Sequence, residues 1–267
     1  TGEIVIASGG SLESQVISPL FNPVEMARPG RTWEDLTSKL QTVKPLALAS
    51  NIPPDMAEAI QSNPDYPSLF EAAFENSDIT PVRIVFAIAT YERTLVADQT
   101  PWDYYMAGDE NALSENAIYG WRVFQELRCV NCHEPPLFTN NDYLNIGLRL
   151  SKYDLGRRAI TGVEEDGGEV KVPSLRNVGL KARFMHTGEF SRLSEAIVFY
   201  DNGIALPGRD DIPNGGAYNF NITGYVPYDL EAFLRNGLTD PRVKNETFPF
   251  DRPTLNSESS LQVQELP

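Results

Sequence analysis

The segment RCVNCHE, residues 128–134, contains Cys129 and Cys132, the only cysteines in the chain, and His133, one of its two histidines. Cys-x-x-Cys-His is the attachment motif of c-type haem. Two thiols at this spacing reach the two vinyl groups on one edge of the porphyrin, and the adjacent imidazole lies under the iron as its proximal ligand. We therefore predict one covalent haem c on this segment.

Three other interpretations of the motif are open to the same residues. A thioredoxin-like pair normally follows a strand, whereas this one follows a predicted helix. A structural zinc site needs further soft ligands, and His186 is the only other histidine or cysteine. A simple disulfide would leave His133 without a purpose. Haem attachment uses all three residues and is the interpretation we adopt.

Helical patterns dominate the sequence before the motif. The helix predicted over 113–127 leads directly into it, with Ser114 as a possible N-cap. Thr32 precedes an acidic first turn in 31–40. Further helices are predicted at 11–20, with Ser11 as a possible N-cap, and at 52–61, 65–74 and 81–96.

After the motif, residues 134–180 are rich in Gly, Pro and Asn and indicate loops, with 137–148 as the best hairpin candidate. Helices return at 191–203 and 228–238, each ending at or near a Gly. The predicted fold class is mainly α: cytochrome c-like helical lobes with long loops and at most short β-hairpins. We place an N-terminal helical lobe at 1–105 and a C-terminal haem domain with a wrapping tail at 106–267.

The chain is acidic, with 37 acidic against 22 basic side chains and a formal charge of −15. This balance argues against nucleic acid and against an anionic membrane surface as partners. It is compatible with simple solubility or with steering of a basic partner. The longest apolar pattern, 81–96, includes Arg83, Glu92 and Arg93 and therefore predicts a buried helix instead of a membrane span.

The expected location is outside the cytoplasm. Covalent haem c is assembled beyond the cytoplasmic membrane, which predicts the periplasm or its equivalent. The sequence opens on TGEIVIASGG without an initiator Met. We interpret it as a processed or partial product.

The distal iron ligand is not fixed by the motif. His186, the neighbouring Met185, another Met or a Tyr are all chemically suitable donors. A His/Met pair raises the reduction potential, and a Tyr ligand is of the type found in catalase.

Several segments together resemble the bacterial di-haem cytochrome c peroxidase family, and specifically its MauG-like branch. They cover most of the chain in the family's order. The resembling segments are SLESQVISPLFNPVEM (11–26), ITPVRIVFAIATYERTLV (79–96), CVNCHEPPLFTNNDYLNIG (129–147), VPSLRNVGLKARFMHTGEFSRLSEAIVFYDNG (172–203) and FLRNGLTDPRVKNETFPFDRP (233–253). The resemblance implies two helical haem lobes, one reacting with hydrogen peroxide and the other passing electrons.

The resemblance also assigns residues of the haem domain. Cys129, Cys132 and His133 match the family's C-terminal haem, and His186 matches a haem-pocket histidine. Tyr200 falls where the peroxidases have an axial Met and the MauG-like proteins an axial Tyr, so we prefer it as the distal ligand.

Two of these assignments have alternatives. Tyr200 could instead be a core residue, with Met185 or His186 on the iron. Arg176 in PSLRNV is a candidate partner of a haem propionate, and an ordinary surface salt bridge is the alternative.

In the N-terminal lobe, Gln15, Pro19 and Glu25 match residues over the peroxide-reactive haem, where a carboxylate can move protons. The family's first Cys-x-x-Cys-His lies upstream of the point at which this sequence begins. A second haem could therefore come from an upstream segment or a haem-bearing N-terminal polypeptide. In a lineage that kept one haem, Gln15 and Glu25 would be structural relics.

Two departures from the family pattern weaken a full di-haem mechanism. The inter-haem Trp position is Val5 here, and two positions linked to an inter-haem calcium are Lys181 and Arg183. A Lys ammonium can take the place of the cation, so we expect weak or no calcium binding.

Two main functions follow from these observations. One is peroxide-dependent oxidation of a substrate with the help of an upstream haem segment. The other is a mono-haem electron-transfer subunit that passes electrons to a redox partner within a larger complex or a homodimer. A haem-bearing scaffold that docks a partner protein is a third, weaker alternative.

Overall fold

The computed structural model describes residues 5–201 and 226–261. This part of the chain is mainly helical, with two short strand pairs, and the predicted fold class is confirmed. Contacts divide it into two compact units. The first contains the residues up to Val96 and those from Glu246 onward, and the second is Ala97–Asn245.

The first unit packs its helices around a small apolar core. Its helices are Ser11–Phe21 (α1), Trp33–Leu40 (α2), Pro54–Ser62 (α3), Tyr66–Phe74 (α4), Pro81–Glu92 (α5) and Asn256–Leu261 (α12). Thr32 accepts a hydrogen bond from the N–H of Asp35 and caps α2, and the acidic first turn that follows it contains Glu34 and Asp35. Gly10, not Ser11, is the N-cap of α1. Val16, Phe70, Val85 and Ala89 are buried where α1, α4 and α5 meet.

The segment after Glu246 returns to the first unit through a strand pair. Ala49–Ser50 (β1) is antiparallel to Thr254–Leu255 (β4), and Asn51 donates a side-chain hydrogen bond to Thr254. The observed division therefore differs from the predicted lobes at 1–105 and 106–267. Pairing between positions this far apart in sequence is not visible in local sequence patterns.

The second unit contains the Cys-x-x-Cys-His segment. Its helices are Pro101–Met106 (α6), Glu115–Glu126 (α7), Arg158–Thr161 (α8), Leu193–Asp201 (α9), Val226–Ala232 (α10), which continues as a π-helical turn over Phe233–Gly237, and Pro241–Lys244 (α11). Ser114 caps α7 as predicted. The predicted stop of α9 at 202–203 lies outside the described residues.

Helix α7 is the central element of this unit and crosses α10 closely. Gly120 permits the approach, since a Cβ there would collide with the carbonyl oxygen of Asp229 and lie 2.8 Å from the Cβ of Phe233. The buried core surrounds this crossing and includes Phe124, Phe138 and Phe233. The packing of α7 against α10 therefore holds the end of α7, which leads into residues 128–134, in place.

The prediction of a hairpin within 137–148 is wrong, because the strand in this segment pairs with a strand outside it. Tyr143–Leu144 (β2) is antiparallel to Val170–Lys171 (β3), which lies beyond a long excursion that includes α8. Leu144 opposes Val170 in this register. The strand is real, but its partner is remote in sequence.

Among the described residues, no helix is both long and apolar enough to cross a membrane. The apolar pattern at 81–96 contains α5, and this helix ends at Glu92.

Candidate haem-binding site

The three motif residues share one tight turn at the end of α7. Arg128 adopts a left-handed conformation with φ 59°, which ends the helix, and Cys129–Asn131 form a 3₁₀ turn. The carbonyl oxygen of Cys129 accepts the backbone N–H of His133 at 2.9 Å. The backbone thus places both thiols and the imidazole on one short loop.

The two thiols are free and partly buried. Burial raises the pKa of Cys129 to about 12. Burial, together with nearby Asp142, also raises the pKa of Cys132. Metal-thiolate and disulfide-exchange sites depend on an accessible thiolate, which a raised pKa disfavours. Among the described residues, no group of three or more His, Cys, Asp or Glu side chains is placed to hold a metal ion.

The imidazole of His133 is held in one orientation by two backbone carbonyls. Its Nδ1 lies 3.1 Å from the carbonyl oxygen of Phe138 and 3.1 Å from that of Pro173. Both are acceptors, so Nδ1 carries the proton and Nε2 has its lone pair free. Burial lowers the pKa of His133, although the two hydrogen bonds act in the opposite direction, and the neutral ring is the form that binds a metal. The residues present therefore fit haem c.

One of the two residues whose carbonyls hold this histidine, Phe138, belongs to a buried aromatic cluster. Phe138 is fully buried, and its ring centroid is 4.8 Å from that of Trp102 and 6.1 Å from that of Phe124. The same residue supplies one of the two carbonyls that hold His133. The position of that carbonyl is consequently fixed by the core.

His186 forms a hydrogen bond with Asp154, a residue that the sequence did not indicate as its partner. Its Nε2 donates to Oδ2 of Asp154 at 2.6 Å, and this hydrogen bond lowers the pKa of Asp154. Both residues border a small surface depression, together with Asn145, Ile146, Leu148, Arg149, Gly168 and Val170. Met185, the adjacent alternative ligand, packs against the core of the unit.

Tyr200 lies near the end of α9 and is half-buried. Its ring packs edge-on against Phe199, with centroids 5.4 Å apart, and Phe199 in turn contacts Phe190. Tyr200 thus belongs to the same unit as the Cys-x-x-Cys-His turn.

Arg176 forms a largely buried ion pair inside the second unit. Its Nη1 and Nη2 donate to the two carboxylate oxygens of Asp103 at 2.8 and 2.7 Å, and the side chains are 12% and 20% exposed. Asp103 was not among the predicted site residues. The signal that could have found it is the spacing of Thr100 and Asp103 before an apolar stretch, which is typical of a helix cap.

The predicted residues of the N-terminal lobe lie in the first unit. Gln15 on α1 and Glu25 in the following turn are exposed, and Pro19 is half-buried within α1. Asn22 donates a hydrogen bond to Glu25 at 3.0 Å. The less exposed carboxylate of this region is Glu13, which pairs with Arg93 at 2.6 Å. Sequence reasoning did not single out that pair.

The residues that depart from the family pattern are all exposed. Val5 belongs to the first unit, and Lys181 and Arg183 belong to the second. Lys181 follows the 3₁₀ turn Val178–Leu180.

Together, the fold and the site define a helical protein with an attachment turn for haem c. Comparisons with known proteins agree. The family model described as di-haem cytochrome c peroxidase matches residues 7–111. The cytochrome c peroxidase Ccp of Escherichia coli (strain K12) is 28% identical over 229 residues, covering 82% of this chain and 44% of that protein. The methylamine utilization protein MauG of Methylophilus methylotrophus is 33% identical over 212 residues, covering 76% of this chain and 62% of that protein.

A solved structure shares the fold. The crystal structure of a MauG-like protein associated with microbial copper homeostasis superposes with a TM-score of 0.70 at 24% identity, covering 90% of this chain and 71% of that one. The chain belongs to the di-haem cytochrome c peroxidase family, in its MauG-like branch. It spans only 44 to 62% of the length of the two curated relatives.

Proposed function

We propose that this chain carries one covalent haem c on Cys129 and Cys132, with His133 as proximal ligand, and that it serves peroxide-dependent oxidation and electron transfer outside the cytoplasm. The observation that carries the proposal is the double hydrogen bond from Nδ1 of His133 to the carbonyls of Phe138 and Pro173. It leaves Nε2 as a fixed donor atom beside two thiols.

Haem c supplies a redox-active iron to this site. The protein's own contribution begins with the orientation of the imidazole, because carbonyl acceptors on Nδ1 raise the basicity of a ligating histidine. The buried aromatic cluster of Trp102, Phe124 and Phe138 fixes the segment that supplies one of the two carbonyls. Burial and hydrogen bonding of this kind tune the potential of a haem.

The distal ligand that we propose is Tyr200. The alternative imidazole of His186 already donates through Nε2 to Asp154, so binding iron with that nitrogen would break a 2.6 Å hydrogen bond. A phenolate is a hard anionic donor and favours the oxidised states of iron.

Replacement of the tyrosine tests this assignment. In Tyr200→Phe the ferric absorption and electron paramagnetic resonance spectra should change strongly, because the oxygen donor is lost. Tyr153→Phe is the matched control, since Tyr153 lies in the same unit and is 77% exposed. An unchanged ferric spectrum in Tyr200→Phe would remove Tyr200 from the iron.

Peroxidase activity is proposed for the whole protein, since the curated relatives are longer than this chain. An upstream haem segment or a haem-bearing polypeptide would supply the peroxide-reactive centre. Gln15 and Glu25 are exposed in the first unit and thus accessible to such a segment. Glu25 would hold or release the proton required when peroxide is cleaved.

A mono-haem electron-transfer subunit is the second candidate. It is favoured by the presence of an exposed Val5 at the position where the family resemblance places an inter-haem Trp. In this function Gln15 and Glu25 have no catalytic role, and the acidic chain docks a redox partner inside a larger complex.

The haem content of the native protein separates the two candidates. Intact mass and the haem-to-protein ratio give the number of haems and reveal any second polypeptide. Two haems, together with peroxide-dependent oxidation of a reduced donor protein, are expected for the enzyme. A single haem that does not respond to peroxide would contradict the enzymatic proposal for this chain. Added calcium should change neither the haem content nor the response to peroxide appreciably, because Lys181 and Arg183 occupy the two positions that the family resemblance links to calcium.

A further inference from the structure

The ion pair between Asp103 and Arg176 has no assigned role in the proposed function. Its two parallel hydrogen bonds give it the geometry of a strong, directional pair. Burial alone would raise the pKa of Asp103, but hydrogen bonds from Arg176 and Thr100 outweigh burial and lower it. The carboxylate is consequently charged throughout the neutral range.

Arg176 uses its other donors on backbone carbonyls. Nε donates to the carbonyl of Pro136 at 2.8 Å, and Nη1 also donates to that of Ala97 at 2.7 Å. One guanidinium therefore ties together three chain segments that are far apart in sequence. Its carbon also lies 5.8 Å from the ring centroid of Phe138 and 5.9 Å from that of Trp102.

Asp103 is itself fixed by the start of α6. Its Oδ2 accepts the backbone N–H of Thr100 at 2.8 Å and the Thr100 hydroxyl at 2.7 Å. Thr100 is fully buried. The anionic partner is thus anchored on a capped helix, and the cation is positioned relative to that helix.

The segments that Arg176 holds are those that hold His133. Arg176 holds the carbonyl of Pro136, which lies just before Phe138 in the sequence. Pro173 lies just before Arg176 itself, so both carbonyls that accept from His133 are close in sequence to this hydrogen bond. Ser174 strengthens the same junction by donating from its hydroxyl to the carbonyl of Leu137 at 2.6 Å.

We propose that Asp103 and Arg176 act as a positioning pair, which fixes the carbonyls of Phe138 and Pro173 and thereby sets the orientation of the His133 imidazole. This inference rests on the proposed haem attachment through His133. It assigns to Asp103 an indirect role, through Arg176 and two carbonyls, with no contact to the cofactor.

The test is Asp103→Asn in the full-length haem-loaded protein. The variant keeps the side-chain size but leaves the Arg176 charge without its partner. The ferric electron paramagnetic resonance spectrum, which depends on the orientation of the axial imidazole, should shift. The reduction potential should rise as the hydrogen bonds that Nδ1 donates to the two carbonyls weaken. In a double-variant cycle with Arg176→Gln, the double variant should shift no more than either single variant, because the two residues act as one unit.

The control for a simple charge effect is Asp142→Asn. Asp142 is a carboxylate close enough to Cys132 to affect its pKa. Removing its charge should move the potential but leave the resonance spectrum unchanged. Equal spectra for Asp103→Asn and the unsubstituted protein, or additive shifts in the cycle, would overturn the positioning role. If Asp103→Asn does not fold, Asp103→Glu is measured instead and should show the spectral shift. An unchanged spectrum in Asp103→Glu would also overturn the positioning role.

Haem content measured on the same samples separates this inference from the proposed function. A normal haem-to-protein ratio with unchanged spectra contradicts the positioning pair alone. Absence of covalent haem from the unsubstituted protein contradicts haem attachment, and this inference falls with it.

Discussion

The double variant Cys129→Ser/Cys132→Ser should lose the haem that is covalently attached to this Cys-x-x-Cys-His segment. A serine hydroxyl cannot replace a thiol in forming a thioether with a vinyl group, although its size is similar. The intact mass of the variant should be lower by one haem than that of the unsubstituted protein, and the polypeptide that contains residues 128–134 should have no covalent haem at this segment after denaturation. His133 remains in place, so any haem that is still bound would be released on unfolding.

The second unit should also become less stable in this variant. The packing of the haem and the ligation of its iron exist only in the folded state, so both contributions to stability are lost with the haem, and Cys129 packs against the apolar core of this unit. Thermal unfolding should therefore begin at a lower temperature than in the haem-loaded protein. Cys129→Ser alone is the informative control, because Cys132 can still form one thioether. An unchanged number of covalent haems in the double variant would show that the attachment residues are misassigned.

The motif and most helices could be predicted because their signals are local. Ser114 caps the helix for which it was proposed, and apolar residues recur at helical spacing in α7. The Cys-x-x-Cys-His spacing likewise lies within a few residues. Such features need no knowledge of the rest of the chain.

Helix α6 was missed because it is short and lies where a boundary between lobes was expected. Six residues are too few for a periodic pattern to be distinguished from a linker. What stabilises α6 is the cap formed by Thr100 and Asp103, together with Arg176, which is 73 positions away. The cap could have been recognised from the sequence, but its ion-pair partner could not.

The environment of the site depends on contacts that no local pattern records. His133 is held by a carbonyl 40 positions away, and His186 pairs with Asp154 across 32 positions. The strand Tyr143–Leu144 was expected to pair locally but pairs with Val170–Lys171. Residue types suggested which chemistry was available, whereas the tertiary fold determines which atoms remain free to perform it.

Gly120→Ala should destabilise the second unit, contrary to the usual effect of this substitution. Alanine in a helix interior is normally more stable than glycine by about 0.5–1 kcal/mol. Here the new Cβ would collide with the carbonyl oxygen of Asp229 and lie 2.8 Å from the Cβ of Phe233. Overpacking of a core costs about 1–3 kcal/mol and occasionally more. Since backbone atoms of α10 must move, we expect a net loss of about 3 kcal/mol in the free energy of unfolding, measured by denaturant titration.

Gly237→Ala provides a graded comparison. Its Cβ would meet side-chain atoms, Cδ2 of Phe233 at 3.0 Å and Cδ2 of Leu113 at 3.3 Å, which can shift without moving the backbone. The loss should therefore be smaller than in Gly120→Ala, and Glu126→Ala at the exposed end of α7 should change stability by no more than about 0.5 kcal/mol. Because α7 leads directly into Cys129, only Gly120→Ala should also reduce the fraction of chains with covalent haem. A Gly120→Ala protein as stable as the unsubstituted one would mean that α7 and α10 are not packed this closely, and that the turn at 128–134 is not anchored by their crossing.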